Sequence, residues 1–133
     1  MGMNPRTVTR TIEADLEPDA ILDILSNPKQ IPEWAPVFAD SIEADGPNGW
    51  RVKKGGDSFS VQVVTSRDSG TVDILREMGP GKRGGAYCRV TPRPGGGSVA
   101  LITVPIVPGA KVEDVAIVLE QELAMLVKLS QKS

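Results

Sequence analysis
The chain has 133 residues, enough for one domain with one core and too few for a second. Its 17 acidic and 15 basic residues leave a net charge of −2 with no basic block or stripe, which argues against nucleic acid as a partner. Histidine is absent and Cys88 is the one cysteine, so Ser-His-Asp and Cys-His catalysis, histidine or thiolate metal sites and an internal disulfide are excluded.

Arg6 to Glu13 alternates Val8, Arg10 and Ile12 with Thr7, Thr9 and Thr11, a period-two pattern that predicts a strand. Glu17-Pro18-Asp19 opens a helix, with Pro18 preset for its first turn; it carries Ile21, Leu22, Ile24 and Leu25 and ends before Asn27-Pro28. A second short helical turn is expected around Lys29 to Trp34, bounded by Pro32 and Pro36. Strands are expected near Ala39–Ala44, Trp50–Lys53, Ser58–Arg67, Thr71–Glu77, Ala86–Thr91 and Ser98–Val107. The segments between them, among them Gly46-Pro47-Asn48-Gly49, Asp68-Ser69-Gly70 and Pro94-Gly95-Gly96-Gly97, are turn chemistry at hairpin spacing. Gly79 to Gly84 spells the G-x-G-x-x-G dinucleotide fingerprint, but a strand rather than a helix follows it. It is therefore expected to be a flexible hairpin loop, with Lys82 and Arg83 at its tip either solvated or drawn to an anionic headgroup.

Strand phase assigns faces. Phe59, Val61 and Val63 share one face, which leaves Ser60, Gln62 and Ser66 toward solvent. Val72 and Ile74 share a face with Arg76, which stands either at the strand's exposed end, the simpler reading, or on a cavity wall. Arg10 poses the same question between Val8 and Ile12. Ala86, Cys88 and Val90 alternate with Tyr87, which is expected outside. Ser98–Val107 is apolar on both faces; the surplus, Val99 and Leu101, is either covered by a second copy in a homodimer or left as exposed aliphatics.

The last element is a long amphipathic helix from Lys111 to Gln131. At about 100° per residue, Val112, Val115, Ala116, Leu119, Leu123, Leu126 and Val127 fall within a third of the circle. Val118, Met125 and Leu129 widen that face on one side. Glu122 projects from inside the apolar arc. Either its side chain snorkels out to water, or its carboxylate enters the space beneath the helix, where burial raises its pKa and makes it useful. A buried carboxylate needs a counter-ion, and Arg10 or Arg76 would supply one if it pointed inward.

The order is strand, two small helices, six strands, long helix. This predicts an α+β helix-grip fold: a curved antiparallel sheet of about seven strands wrapped around the C-terminal helix, with two short helices between strands 1 and 2. The segment from Thr11 to Pro36 (TIEADLEPDAILDILSNPKQIPEWAP) resembles the opening of polyketide cyclase/dehydrase-like proteins of the START-like, or SRPBCC, superfamily. The pattern is a strand, a proline-started helix, Asn27-Pro28, and Trp34 two residues before Pro36. The resemblance implies a mostly apolar pocket between the long helix and the concave face of the sheet, and it brings no universal catalytic motif. Many members carry pocket histidines and this chain has none, which turns the reading away from a cyclase or dehydratase. Trp34 is expected to wedge the small helices against the sheet edge.

The expectation is a single domain, residues 1–133, that binds a small hydrophobic or amphipathic molecule, lipid- or polyketide-like, under the last helix. Expected ligand contacts are Arg10, Trp34, Phe59, Val61, Val63, Ile74, Arg76, Val115, Leu119, Glu122, Leu123 and Leu126. The alternatives are a polyketide cyclase or dehydratase with Glu122 as the candidate catalytic group, and a protein-interaction module with a vestigial cavity. No cofactor and no metal are expected. The absence of a signal-peptide pattern, a membrane-length apolar run and paired cysteines points to a soluble cytoplasmic protein. Met1-Gly2 ahead of Met3 is set aside as an appended start.

Overall fold
The structure, a computed structural model, describes residues 6–132, so the Met1-Gly2 pair lies outside it. Strand β1 (Thr7–Ala14) leads into helix α1 (Pro18–Leu25), a 3-10 turn (Pro28–Gln30) and the short helix α2 (Ile31–Trp34). The strands β2 (Ser41–Ala44), β3 (Trp50–Lys54), β4 (Asp57–Ser66), β5 (Thr71–Gly79), β6 (Lys82–Pro92) and β7 (Ser98–Pro105) follow, and helix α3 (Val112–Lys132) closes the chain. The seven strands form one sheet in the order β1-β7-β6-β5-β4-β3-β2, antiparallel throughout. Chain order is kept from β2 to β7, and β1 returns to pair with β7. This is the helix-grip arrangement.

Local chemistry sets the element boundaries. Pro18 occupies the first turn of α1, where a missing N–H costs nothing. The helix stops at Asn27-Pro28 because a residue before proline avoids the helical region. There the Asn27 side chain accepts from the Lys29 N–H and caps the 3-10 turn. Ile21, Leu22, Ile24 and Leu25 turn one face of α1 inward, and α2 buries Ile31 and Trp34, one turn apart.

On the sheet, alternation divides core from solvent. Val8 and Ala14 of β1, Val72 and Ile74 of β5, Cys88 and Val90 of β6, and Ala100 and Ile102 of β7 are buried on the concave face. Across them lies α3, whose Ala116, Leu119, Leu123 and Leu126 recur at spacings of three and four and are all buried. Each of these leucines contributes roughly 2 kcal/mol of burial free energy. Met125, expected to widen that face, is 37% exposed and marks where the stripe reaches the surface. On the convex side Val99 and Leu101 are half-buried beside threonines, and Thr9 and Thr103 share a cross-strand hydroxyl hydrogen bond of 2.6 Å. Tyr87 faces outward, as its phase requires.

The Gly79–Gly85 segment corrects the sequence expectation. It is not a loop: β5 runs to Gly79 and β6 begins at Lys82, leaving Pro80-Gly81 as a tight turn after a register shift near Glu77. Ladder pairing uses only backbone groups, so glycines can form a hairpin that shows no side-chain alternation. Arg83 is exposed; the Lys82 side chain lies outside what the structure describes.

Outside the core, charged pairs pin the connections. Arg67 at the β4–β5 turn holds both Asp19 (3.1 Å) and Asp23 (2.9 Å) of α1. Arg93 joins Glu13 and Asp15 at the end of β1. These partners are exposed, so solvent screening leaves each pair little net stability and their role is to fix the geometry of the connections.

The β4–β5 turn depends on Gly70. Its φ is +70°, and a Cβ there would collide with the carbonyl oxygen of Val90, which accepts no such approach from a side chain. Its own carbonyl receives the Val90 N–H at 2.8 Å. Gly70→Ala should therefore lower stability by about 2 kcal/mol or more, while Gly56→Ala, in open space, should stay within about 0.5 kcal/mol. Urea midpoints of the two variants test this. Equal midpoints would remove the steric argument.

Candidate functional site
A cavity of about 420 Å³ lies beneath the first half of α3, open toward the segment after α2 and the hairpin end of β5–β6. It forms because the sheet floor is thin there. Arg76 pairs in register with Gly84, and Leu75 with Gly85, so β6 offers no bulk until Ala86. Gly85 sits at φ +145°, and a Cβ on it would strike the Ile74 carbonyl. Farther along α3, Leu123 and Leu126 meet a filled core and leave no space.

The walls are apolar. Val115, Val118 and Leu119 come from α3, Ile74 and Val104 from the sheet, and Val37 and Phe38 from the segment after α2. Val37 and Val107, 56% and 47% exposed, edge the mouth. Three polar groups interrupt this lining, and each has unmet bonding capacity.

Glu122 is 9% exposed, so it is buried rather than snorkelling. Burial alone pushes its carboxyl up to about 7. Among the described residues it forms no ion pair or hydrogen bond. It also borders a second, outer groove of about 440 Å³ with Trp34, Gln121, Met125 and Lys128, so it stands in the partition between groove and cavity. Cys88 lies close behind it. Burial first, then the charge of Glu122, raises that thiol and leaves it inert.

Arg76 does not sit at an exposed strand end, the simpler expectation. It is half-buried on the concave face, with its guanidinium 3.7 Å from the centre of the Phe59 ring. Its position opposite Val61 in the ladder directs it inward. Its buried Nε–H has no acceptor among the described residues. Trp34, 2% exposed, fills the corner between α2 and α3 and also keeps a buried Nε1–H without a partner among the described residues.

The other expected site residues are distributed as follows. Ile74, Val115 and Leu119 border the cavity beside Trp34, Arg76 and Glu122. Phe59 backs Arg76 and packs edge-on against Phe38, ring centres 5.4 Å apart. Val61 and Val63 lie farther along the concave face, and Leu123 and Leu126 belong to the core. Arg10 turns outward: it donates to the Thr9 carbonyl at 2.8 Å and pairs with Glu120 at 3.8 Å. Neither arginine is thus the counter-ion of Glu122 among the described residues. The carboxylates Asp19 and Asp23, four residues apart on α1, are both held by Arg67.

Sequence reasoning missed Val37, Phe38, Val107 and the Gly84-Gly85-Ala86 floor. The paired glycines carried a usable signal, since small residues opposite a helix leave room; the connecting segments carried none. An open polar depression of about 610 Å³, among Asn48, Gln62, Glu77 and Arg83, lies at the far end of the hairpin and shares Arg76 with the cavity.

The arrangement can enclose an apolar body, hold a polar substituent and, through a carboxyl titrating near neutrality, give or take a proton. No helix among the described residues is long and apolar enough to cross a membrane.

Comparison with known proteins agrees with this fold. The sequence profile of the family described as polyketide cyclase / dehydrase and lipid transport matches residues 5–130. No curated protein matches the chain by sequence. Among solved structures, a START superfamily protein from Mycobacterium smegmatis aligns with a TM-score of 0.61 at 16% identity, over 96% of each chain. A Mesorhizobium loti protein aligns at 0.69 and 16% identity, over 96% of this chain and 98% of that one. The Zhui aromatase/cyclase of a Streptomyces species aligns at 0.67 and 13% identity, over 96% of this chain and 94% of that one. At these identities the structural likeness establishes the fold.

The buried carboxyl has a measurable consequence. Its folded-state value of about 7 exceeds the ordinary 4.5, so the folded protein holds this proton more tightly than the unfolded chain. The corresponding stability is complete below the unfolded value, declines as pH rises and is gone above the folded value, a loss of about 3 kcal/mol. Glu122→Gln keeps the shape without the ionisation. It should match the wild type near pH 4 and exceed it by up to about 3 kcal/mol near pH 8. Chemical denaturation of both proteins across that range measures the difference, and a pH-independent difference would contradict burial of Glu122.

Proposed function
The chain belongs to the polyketide cyclase / dehydrase and lipid transport family, and we propose that it binds a small hydrophobic or amphipathic molecule, lipid- or polyketide-like, between α3 and the sheet. The observation that carries this reading is the apolar cavity of about 420 Å³ with a few convergent polar groups. Ligand sites are typically concave, mostly apolar and of this size, with few polar groups that fix orientation. In this reading Ile74, Val115 and Leu119 contact the apolar body. Trp34, Arg76 and Glu122 face its polar substituent, while Phe59 steadies Arg76. Val61, Val63, Leu123 and Leu126 keep the sheet and helix in position, and Arg10 serves the surface.

One observation favours a second reading, an enzyme acting on a polyketide-like substrate. A carboxyl poised at about 7 is suited to general acid–base catalysis near neutral pH. Arg76 would orient a carbonyl oxygen and Glu122 would move the proton. A filled interior would favour an interaction module instead, and the cavity volume weighs against that.

Native mass spectrometry after exposure to a cell lipid extract should show a retained small-molecule mass. Ala86→Trp, which fills the thin floor, should lose it while its far-ultraviolet circular dichroism stays that of the wild type. Overfilling of this kind costs about 1–3 kcal/mol, within reach of a folded variant. A wild type that retains nothing, or a filled variant that retains the same mass, would overturn the assignment.

A further inference from the structure
Among the described residues, Arg76 and Glu122 are the charged side chains that line the cavity, and the other lining residues are uncharged. The Arg76 guanidinium rests on the face of Phe59, and no carboxylate pairs with it among the described residues. A ring face attracts a cation without neutralising it. The Trp34 Nε1–H and Arg76 Nε–H are both buried without acceptors among the described residues, although each is a strong donor. The site is thus rich in donors and positive charge. Glu122, its carboxyl acceptor, engages neither.

We propose that the ligand is a monoanionic amphiphile, a carboxylate on an apolar chain or ring, whose head pairs with Arg76 while its body lies against Val104, Val115 and Leu119. This rests on the reading that the cavity holds a small molecule. A guanidinium presents parallel N–H groups that match the two oxygens of a carboxylate, and such a charge-assisted pair is strongest away from water. A neutral alcohol of the same length would leave the cation without a counter-charge.

Glu122 then sets the sign of the pH dependence. Arg76 from β5 and Trp34 from α2 border the same cavity as Glu122, Cys88 from β6 feels its charge, and Lys128 on its own helix borders the outer groove. Burial keeps the Cys88 thiol protonated, so Glu122 is the carboxyl whose charge changes within this group near neutrality. An anionic head and a Glu122 carboxylate in one water-poor space repel each other. The anion therefore binds the protein with Glu122 protonated, and above neutral pH its binding takes up a proton.

Titration calorimetry with decanoate and decan-1-ol as probes tests this. Near pH 6 decanoate should bind at least about tenfold more tightly than decanol, and its affinity should fall toward about tenfold per unit as pH rises above about 7. The affinity for decanol should change less over the same range. Arg76→Gln should equalise the two probes, and Glu122→Gln should flatten the pH profile of decanoate. Decanol binding as tightly as decanoate, or decanoate binding that strengthens with pH, overturns this inference and leaves the cavity reading standing. Failure of both probes to bind the wild type overturns both. The wild-type comparison decides the question even if the Arg76 variant fails to fold.

Discussion
One helix must cover one concave sheet. That constraint organises the molecule. A seven-stranded antiparallel sheet with one wet face needs a partner for the other, and α3 is the element long enough to supply it. Ala116, Leu119, Leu123 and Leu126 satisfy the helix, and the buried row from Val8 to Ile102 satisfies the sheet. The curvature that brings these surfaces together is not uniform. Where both carry full-sized side chains they close, as beneath Leu126. Where β6 contributes Gly84, Gly85 and Ala86, they cannot, and the cavity is what remains. α1 and α2 then become necessary, because Trp34 and the residues after it wall the side that sheet and helix leave open.

Placing Glu122 beneath that helix works against stability. A carboxylate moved from water into an apolar wall loses hydration, and no arginine or backbone N–H compensates it among the described residues. The group responds by holding its proton near neutral pH. A leucine there would extend the stripe between Leu119 and Leu123, and the fold has no structural need of an acid. Arg76 presents the complementary case. Phe59 accommodates its cation, Val61 sets its direction, and its Nε–H is still left without an acceptor among the described residues. An unpaired cation and an unpaired acid bordering the same space would reduce each other's cost by pairing, yet they do not.

Much of the fold was legible because its signals are local. The stripe of α3 repeats over five turns, the strand phases follow from neighbouring residues, and Pro18 and Asn27-Pro28 mark the ends of α1 through their own backbones. The strand pairing within the Gly79–Gly85 hairpin was not legible, since glycine pairs through backbone atoms that leave no alternation to read. The direction of Arg76 was half legible: its phase with Val72 and Ile74 pointed inward, and its place before the glycines argued for exposure. Phase won, because the hairpin continues beyond it. The missing counter-ion of Glu122 was beyond sequence reasoning, for it depends on Arg10 turning to Glu120 and Arg76 to Phe59, contacts between residues far apart in the chain.

Stability and the proposed binding thus make opposite demands at one place. Filling the floor of β6 and replacing Glu122 by an apolar residue would both strengthen the core, by adding contact and by removing a buried ionisable group. The chain does neither within the first half of α3, while a few residues farther on it packs Leu123 and Leu126 without a gap. The unsatisfied donors lie in that same half, on Trp34 and Arg76. Poor packing, an unpaired acid and unpaired donors each have several explanations when met singly. Their coincidence in one cavity is what the proposed guest accounts for: it would supply the missing contacts, and the energy withheld from folding would be available for binding it.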